Sequence, residues 1–241
     1  MLLRMLRFTL IATFLILGCQ SDKAKAATQE AERKQAARCI VVFGIDDTGS
    51  YELWEQAKNI ACRIVDQLQP GDILNCRRIT DSSYLDTCLI LRLGLPLIEE
   101  PGNNNPFDRR AKKVTRHQES GINALKREAC NRLSGLRSIN SKRTDIYGFV
   151  AAAGDRFALA SKEYKRILIL ASDLEDNVGY QPQLNLAGTQ VAVLGFQSSK
   201  DPVKTQRVKQ SWTKRLTEAG ATRIVFLPLE EKFNLDQFKG D

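Results

Sequence analysis

Cys39 to Ile45 (CIVVFGI) is an unbroken apolar run that ends abruptly in Asp46. A run with no polar alternation has no side to offer to water, so it reads as a strand buried on both faces of a sheet. Such a strand needs helices above and below it, and the rest of the chain supplies them. Glu52 to Gln69 carries apolar residues at helical spacing (Leu53, Ala57, Ile60, Ala61, Ile64, Val65, Leu68), and Pro70-Gly71-Asp72 stops it. Ile73 to Thr80 and Leu85 to Leu93 read as two strands joined by a short polar turn, hence antiparallel neighbours. Pro96 to Pro106 is an exposed loop by composition. Asp108 to Leu133 reads as a long charged helix that Gly121 could interrupt, Ile139 to Arg143 as a polar loop, and Thr144 to Ser161 as an Ala-rich helix. Arg166 to Ser172 (RILILAS), Val191 to Phe196 (VAVLGF) and Arg223 to Leu227 (RIVFL) read as strands, with a helix from Pro202 to Ala219 before the last. This alternation predicts an α/β fold with a mostly parallel central sheet, one antiparallel strand, and helices on both faces. The chain's 241 residues suffice for one such domain beside a leader.

The first 18 residues read as an export signal, with Arg4 and Arg7 ahead of the short apolar run Phe8 to Leu17. The run ends in Leu15-Ile16-Leu17-Gly18-Cys19, which resembles the lipobox of bacterial lipoproteins and implies a lipid on Cys19. Two alternatives stay open: ordinary cleavage after Ala24-Lys25-Ala26, giving a secreted protein, and an uncleaved signal anchor. All three place the domain outside the cytoplasm. Gln20 after the cysteine resembles the outer-membrane sorting pattern of a Gram-negative envelope. Residues 19–38 then form a lipidated N-terminus and polar tether, 39–230 the domain, and 231–241 a tail.

The net charge is +8, and Arg4 and Arg7 account for two of these, which leaves +6 after the leader. Basic and aromatic residues do not interleave and no nucleic-acid motif occurs, so nucleic acid is not the expected partner. Beyond Cys19 the cysteines are Cys39, Cys62, Cys76, Cys88 and Cys130, with no Cys-x-x-Cys to suggest zinc or dithiol chemistry. Cys76 and Cys88 flank a turn nearly symmetrically and are the candidate disulfide. His117 reads as solvated on its helix, Trp54 and Trp212 as packing residues, and Glu175 and Asp176 as solvated carboxylates.

Three polar clusters fall just beyond these elements: Asp46-Asp47-Thr48-Gly49-Ser50 after the first strand, Thr144-Asp145-Ile146-Tyr147-Gly148 at a helix start, and Ser172-Asp173-Leu174-Glu175-Asp176-Asn177 after the Arg166 strand. Parallel-sheet topology brings all three to the rim at the carboxyl ends of the strands, where α/β folds bind ligands. Oxygen donors without His or Cys suit a hard divalent cation such as Mg2+ or Mn2+.

In this order the clusters resemble the metal-ion-dependent adhesion site of von Willebrand factor A domains, over about residues 39 to 229. Asp46-x-Thr48-x-Ser50 matches the first motif, with Thr for a Ser. Thr144 matches the lone Thr in Thr-Asp-x-x-Gly, and Asp173 the Asp in Ser-Asp-x-x-Asp-Asn. The resemblance implies a three-layer Rossmann-like fold and a metal bound directly by the three hydroxyls, with Asp46 and Asp173 acting through water. It also implies a protein partner that supplies an Asp or Glu carboxylate, and no catalysis. Asp47 falls at the variable position of the motif, so Asp47→Asn is expected to change partner capture little. Two other readings remain. One is a metal-free scaffold of the same fold. The other is an aspartic protease using Asp47-Thr48-Gly49, which would require a second Asp-Thr-Gly that the chain lacks. A haloacid-dehalogenase-like site needs a spacer that Asp46-Asp47 does not have.

Overall fold

The computed structural model describes residues 38–98, 109–196, 201–228 and 233–240. The leader, Cys19, nearly all of the tether and most of the Pro96–Pro106 loop lie outside these. Among the described residues no helix is long and apolar enough to cross a membrane.

The elements run β1 (Cys39–Asp46), α1 (Trp54–Gln67), β2 (Ile73–Ile79), a 3-10 turn (Asp86–Cys88), β3 (Leu89–Gly94), α2 (Arg109–Ser134), α3 (Ile146–Ala158), β4 (Lys165–Ala171), β5 (Thr189–Leu194), α4 (Pro202–Glu218), β6 (Ala221–Leu227) and a final 3-10 turn (Leu235–Phe238). The six strands form one sheet in the order β3-β2-β1-β4-β5-β6. Only β3, at one edge, is antiparallel to its neighbour. This is the expected three-layer Rossmann-like α/β fold. The order reverses between β1 and β4, so the crevice at a topological switch point opens above those two strands.

Both faces of β1 are covered, as its composition requires. Val41, Phe43 and Ile45 pack under α1 and α2, while Ile40 and Val42 pack under α3 and α4. Gly44 is the one gap in the apolar run, and it has a steric reason. A Cβ there would lie 2.5 Å from the Phe149 ring, so its absence lets α3 settle onto β1. Gly121 does not interrupt α2: a Cβ there would meet nothing within 4 Å, and the helix runs through it at an exposed position.

The cysteine pairing differs from the expectation. Cys62 on α1 is bonded to Cys130 on α2, across a separation of 68 residues, and Cys76 and Cys88 are free and buried. The hairpin register explains this: Cys76 lies opposite Leu91, while Cys88 belongs to the 3-10 turn that precedes β3. The observed bond ties together the two helices that cover one face of the sheet, a cross-link of about 2–4 kcal/mol. In the C-terminal segment Phe233, Leu235 and Phe238 join the core on that face.

Candidate metal centre

Asp46 is the last residue of β1, and its side chain is fully buried. The carboxylate accepts from the Thr48 hydroxyl at 2.7 Å and the Ser172 hydroxyl at 2.6 Å. The Thr48 and Ser50 hydroxyls are 3.3 Å apart. Asp173 follows β4 directly beside them; it accepts from the Glu175 amide at 2.9 Å and from the Ser50 hydroxyl. Four of the five expected residues therefore form one connected cluster over the β1–β4 crevice, with Ser172 bridging the strands.

Thr144 reaches the same rim by another route. The amide of the next residue, Asp145, donates to the Thr80 carbonyl just past β2, and the Thr144 amide and carbonyl are both bonded to Asn177. The Thr144 hydroxyl is buried and has no hydrogen-bond partner. Asp145 caps α3 by accepting from the Gly148 amide at 2.7 Å. Asp176 accepts from the Ile146 and Tyr147 amides, so it is a second capping group for α3 and not a solvated carboxylate. Glu175 pairs with Lys204. Leu174 holds a positive φ of 58° in this loop, where its carbonyl accepts from the Trp212 indole. Trp212 thus packs in the core, as expected, and also secures the loop. His117 is exposed on α2, also as expected.

Burial dominates the electrostatics. It pushes Asp46 up to about 7, against the opposing effect of the Ser172 and Thr48 hydrogen bonds, with Asp173 raising it further. Burial raises Asp173 as well. Tyr51, buried with its hydroxyl unpartnered, is also raised, first by burial and then by the charge of Asp46 and Asp173. Among the described residues no lysine or arginine pairs with Asp46. Two buried carboxylates, of which Asp173 feels the Lys204 charge and Asp46 has no lysine or arginine paired with it among the described residues, together with oxygen donors and an orphaned hydroxyl, fit a hard cation chemically.

Asp47 departs most from the sequence reading. Its carboxylate is buried and ion-paired with Arg78, and it accepts from the Ser138 hydroxyl and the Ile139 and Asn140 amides. Arg78 also lies over the Trp54 ring and donates to the Arg137 carbonyl. Asp47 is therefore the anchor of the loop before Thr144, a structural role that the motif does not show. Its oxygens are committed to that loop and to the Arg78 guanidinium, and among the described residues it shares no hydrogen bond with a second carboxylate, the pairing that aspartic-protease chemistry requires. Its partners are 31 to 93 residues away in sequence, so no local pattern could reveal the role. Ser172 and Asn177 stood inside a recognised motif, and only the contacts define what they do.

Another cluster, Cys62, Asp66 and Cys130, has the spacing to hold a metal, but two of its three members form the disulfide.

No family model and no curated protein sequence matches the chain. Solved structures of similar fold include a von Willebrand factor type A protein from Catenulispora acidiphila (15% identity, TM-score 0.46, over 85% of this chain and 42% of that one). Proximal thread matrix protein 1 of the mussel byssus gives 13% identity and a TM-score of 0.45, over 85% and 46% of the two chains. The manganese-loaded TRAP protein of Plasmodium vivax gives 13% identity and a TM-score of 0.41, over 85% and 61%. The chain thus spans less than half the length of the first two.

Proposed function

We propose that this chain is an exported, lipid-anchored binding module without catalysis of its own, which captures a protein partner through Mg2+ or Mn2+ held at Asp46, Thr48, Ser50, Thr144 and Asp173. The observation that carries this reading is Asp46: a fully buried carboxylate that feels the charge of a second one, Asp173, with hydroxyls as its side-chain partners and no lysine or arginine paired with it among the described residues. Burying a carboxylate without a counter-charge costs several kcal/mol, and a bound divalent ion removes that cost. Thr48, Ser50 and Thr144 would bind directly and Asp46 and Asp173 through water, so the two carboxylates balance the ion's charge while only neutral protein oxygens sit on it. A bound ion would offer an open position that favours a hard anionic oxygen, the carboxylate of an Asp or Glu on the partner.

Calorimetric titration of the full chain with Mn2+ and Mg2+ tests the site. Binding should be lost in Asp46→Ala and Asp173→Ala, and weakened in Thr144→Ala. Silence of the wild type at millimolar metal would leave the metal-free scaffold, with Asp46 protonated. The anchor is tested separately: labelled palmitate should enter the wild type and not Cys19→Ala, whereas a mature N-terminus at Ala27 would make the protein a secreted one.

A further inference from the structure

The loop that Asp47 anchors forms one bank of the candidate metal site. Ser141 bridges to Thr48 in parallel register, its amide donates to the Asp47 carbonyl at 2.8 Å, and its carbonyl accepts from the Gly49 amide. The Ser141 hydroxyl accepts from the Asp81 amide and donates to the Arg143 carbonyl. Asn140 is held at a positive φ of 51°, which Asn tolerates better than most residues. The backbone is thus fixed at several points within hydrogen-bonding reach of the metal-site turn. On the same loop Arg137, Lys142 and Arg143 are exposed, and none has a carboxylate partner among the described residues. The opposite bank is different. Its nearest lysine, Lys204, is already paired with Glu175 at 2.8 Å.

We infer that Arg137, Lys142 and Arg143 form a recognition lip that selects an acidic segment of the partner, one in which the metal-binding carboxylate is flanked by further Asp or Glu residues. This rests on the metal reading above. It adds that specificity is set on one bank, by three cations that have no carboxylate partner among the described residues and sit on a loop held by several hydrogen bonds. Like-charged groups in a row repel one another in the free protein, and an acidic ligand relieves that repulsion while also drawing the ligand in. A single carboxylate satisfies the metal and leaves the lip unused.

The test uses the full chain and two fluorescein-labelled peptides, Gly-Glu-Asp-Glu-Glu-Gly and Gly-Ser-Asp-Ser-Ser-Gly, in Mn2+ and in EDTA. The multiply acidic peptide should bind about tenfold more tightly than the other in Mn2+ at low salt. The preference should collapse in about 1 M NaCl, where the Debye length is about 3 Å. The triple variant Arg137→Gln, Lys142→Gln, Arg143→Gln should lose the preference while retaining wild-type Mn2+ affinity by calorimetry and wild-type melting. Three results overturn the lip: equal binding of the two peptides by the wild type, no binding of either, or an undiminished preference in the triple variant. Failure of the metal reading looks different. The wild type would take up no Mn2+, and any charge preference would be the same in EDTA, still abolished by the triple variant.

Discussion

Two aspartates stand at opposite ends of the central strands, equally buried and differently served. At the amino end Asp72 accepts from the Cys39 amide at 2.8 Å, the Gln69 amide at 2.7 Å and the Lys239 ammonium at 2.6 Å, so charge and lone pairs are both satisfied from within the chain. At the carboxyl end Asp46 has hydroxyls from Thr48 and Ser172 and no cation. Both carboxylates are withdrawn from water. The first closes the structure, joining the start of β1, the turn before β2 and the C-terminal segment. The second has no lysine or arginine paired with it among the described residues, and burial pushes it toward the protonated form instead. Burial is common to both aspartates, so it is the missing cationic partner that singles out Asp46 as the candidate for a bound ion.

The largest effect should come from Asp72. Asp72→Ala strands a buried ammonium and two amides, and should lower stability by about 3–5 kcal/mol in urea unfolding. Asp46→Asn should cost the metal-free protein little or stabilise it, because it removes an uncompensated charge. Equal losses from the two would erase the contrast between the ends.

Metal addition sharpens the same comparison. If only the folded site binds Mg2+, a concentration of about 100 times Kd should add about 2.7 kcal/mol, read as a rise in Tm. Asp46→Asn should abolish the rise. A conservative change at Asp72, such as Asp72→Asn, should leave the rise intact on a lower baseline.

Asp47 tests whether the carboxyl end holds a structural aspartate of its own. Asp47→Asn removes the charge opposite Arg78 and weakens the anchor of the 138–140 segment, and should cost about 2 kcal/mol in urea unfolding. A neutral result would return Asp47 to the status of a variable motif position.

Read per pH unit, the smallest effect is the pH dependence. Asp46 titrates near 7 when folded and near 3.8 when unfolded, so between these values the folded chain holds the extra proton. Stability therefore falls as pH rises through that window, by at most about 1.4 kcal/mol per pH unit from this group. The raised Asp173 adds in the same direction. Metal favours the ionised forms, so the metal-dependent rise in Tm should be larger at pH 8 than at pH 6. Thermal melts of wild type and Asp46→Asn across this range, with and without Mg2+, check it; an identical pH slope in the variant would remove Asp46 as its source.

Much of this molecule was legible as a string because its elements are encoded locally. Buried strands show as unbroken apolar runs such as Cys39 to Ile45, and amphipathic helices such as α1 as stripes three and four residues apart. Asp46, Thr48, Ser50, Thr144 and Asp173 could be placed on one rim because parallel topology puts every strand's carboxyl end on the same side. The long-range pairings could not be read this way. Which cysteine faces Cys62, which groups close around Asp47, and that Lys239 neutralises Asp72 across 167 residues all depend on which helix lies beside which and where the chain ends come to rest. The sequence by itself determined the layers of the fold and the rim on which its oxygen donors gather. Only the tertiary structure decided which buried carboxylate receives a counter-charge, because that depends on distances in space which no spacing along the chain records.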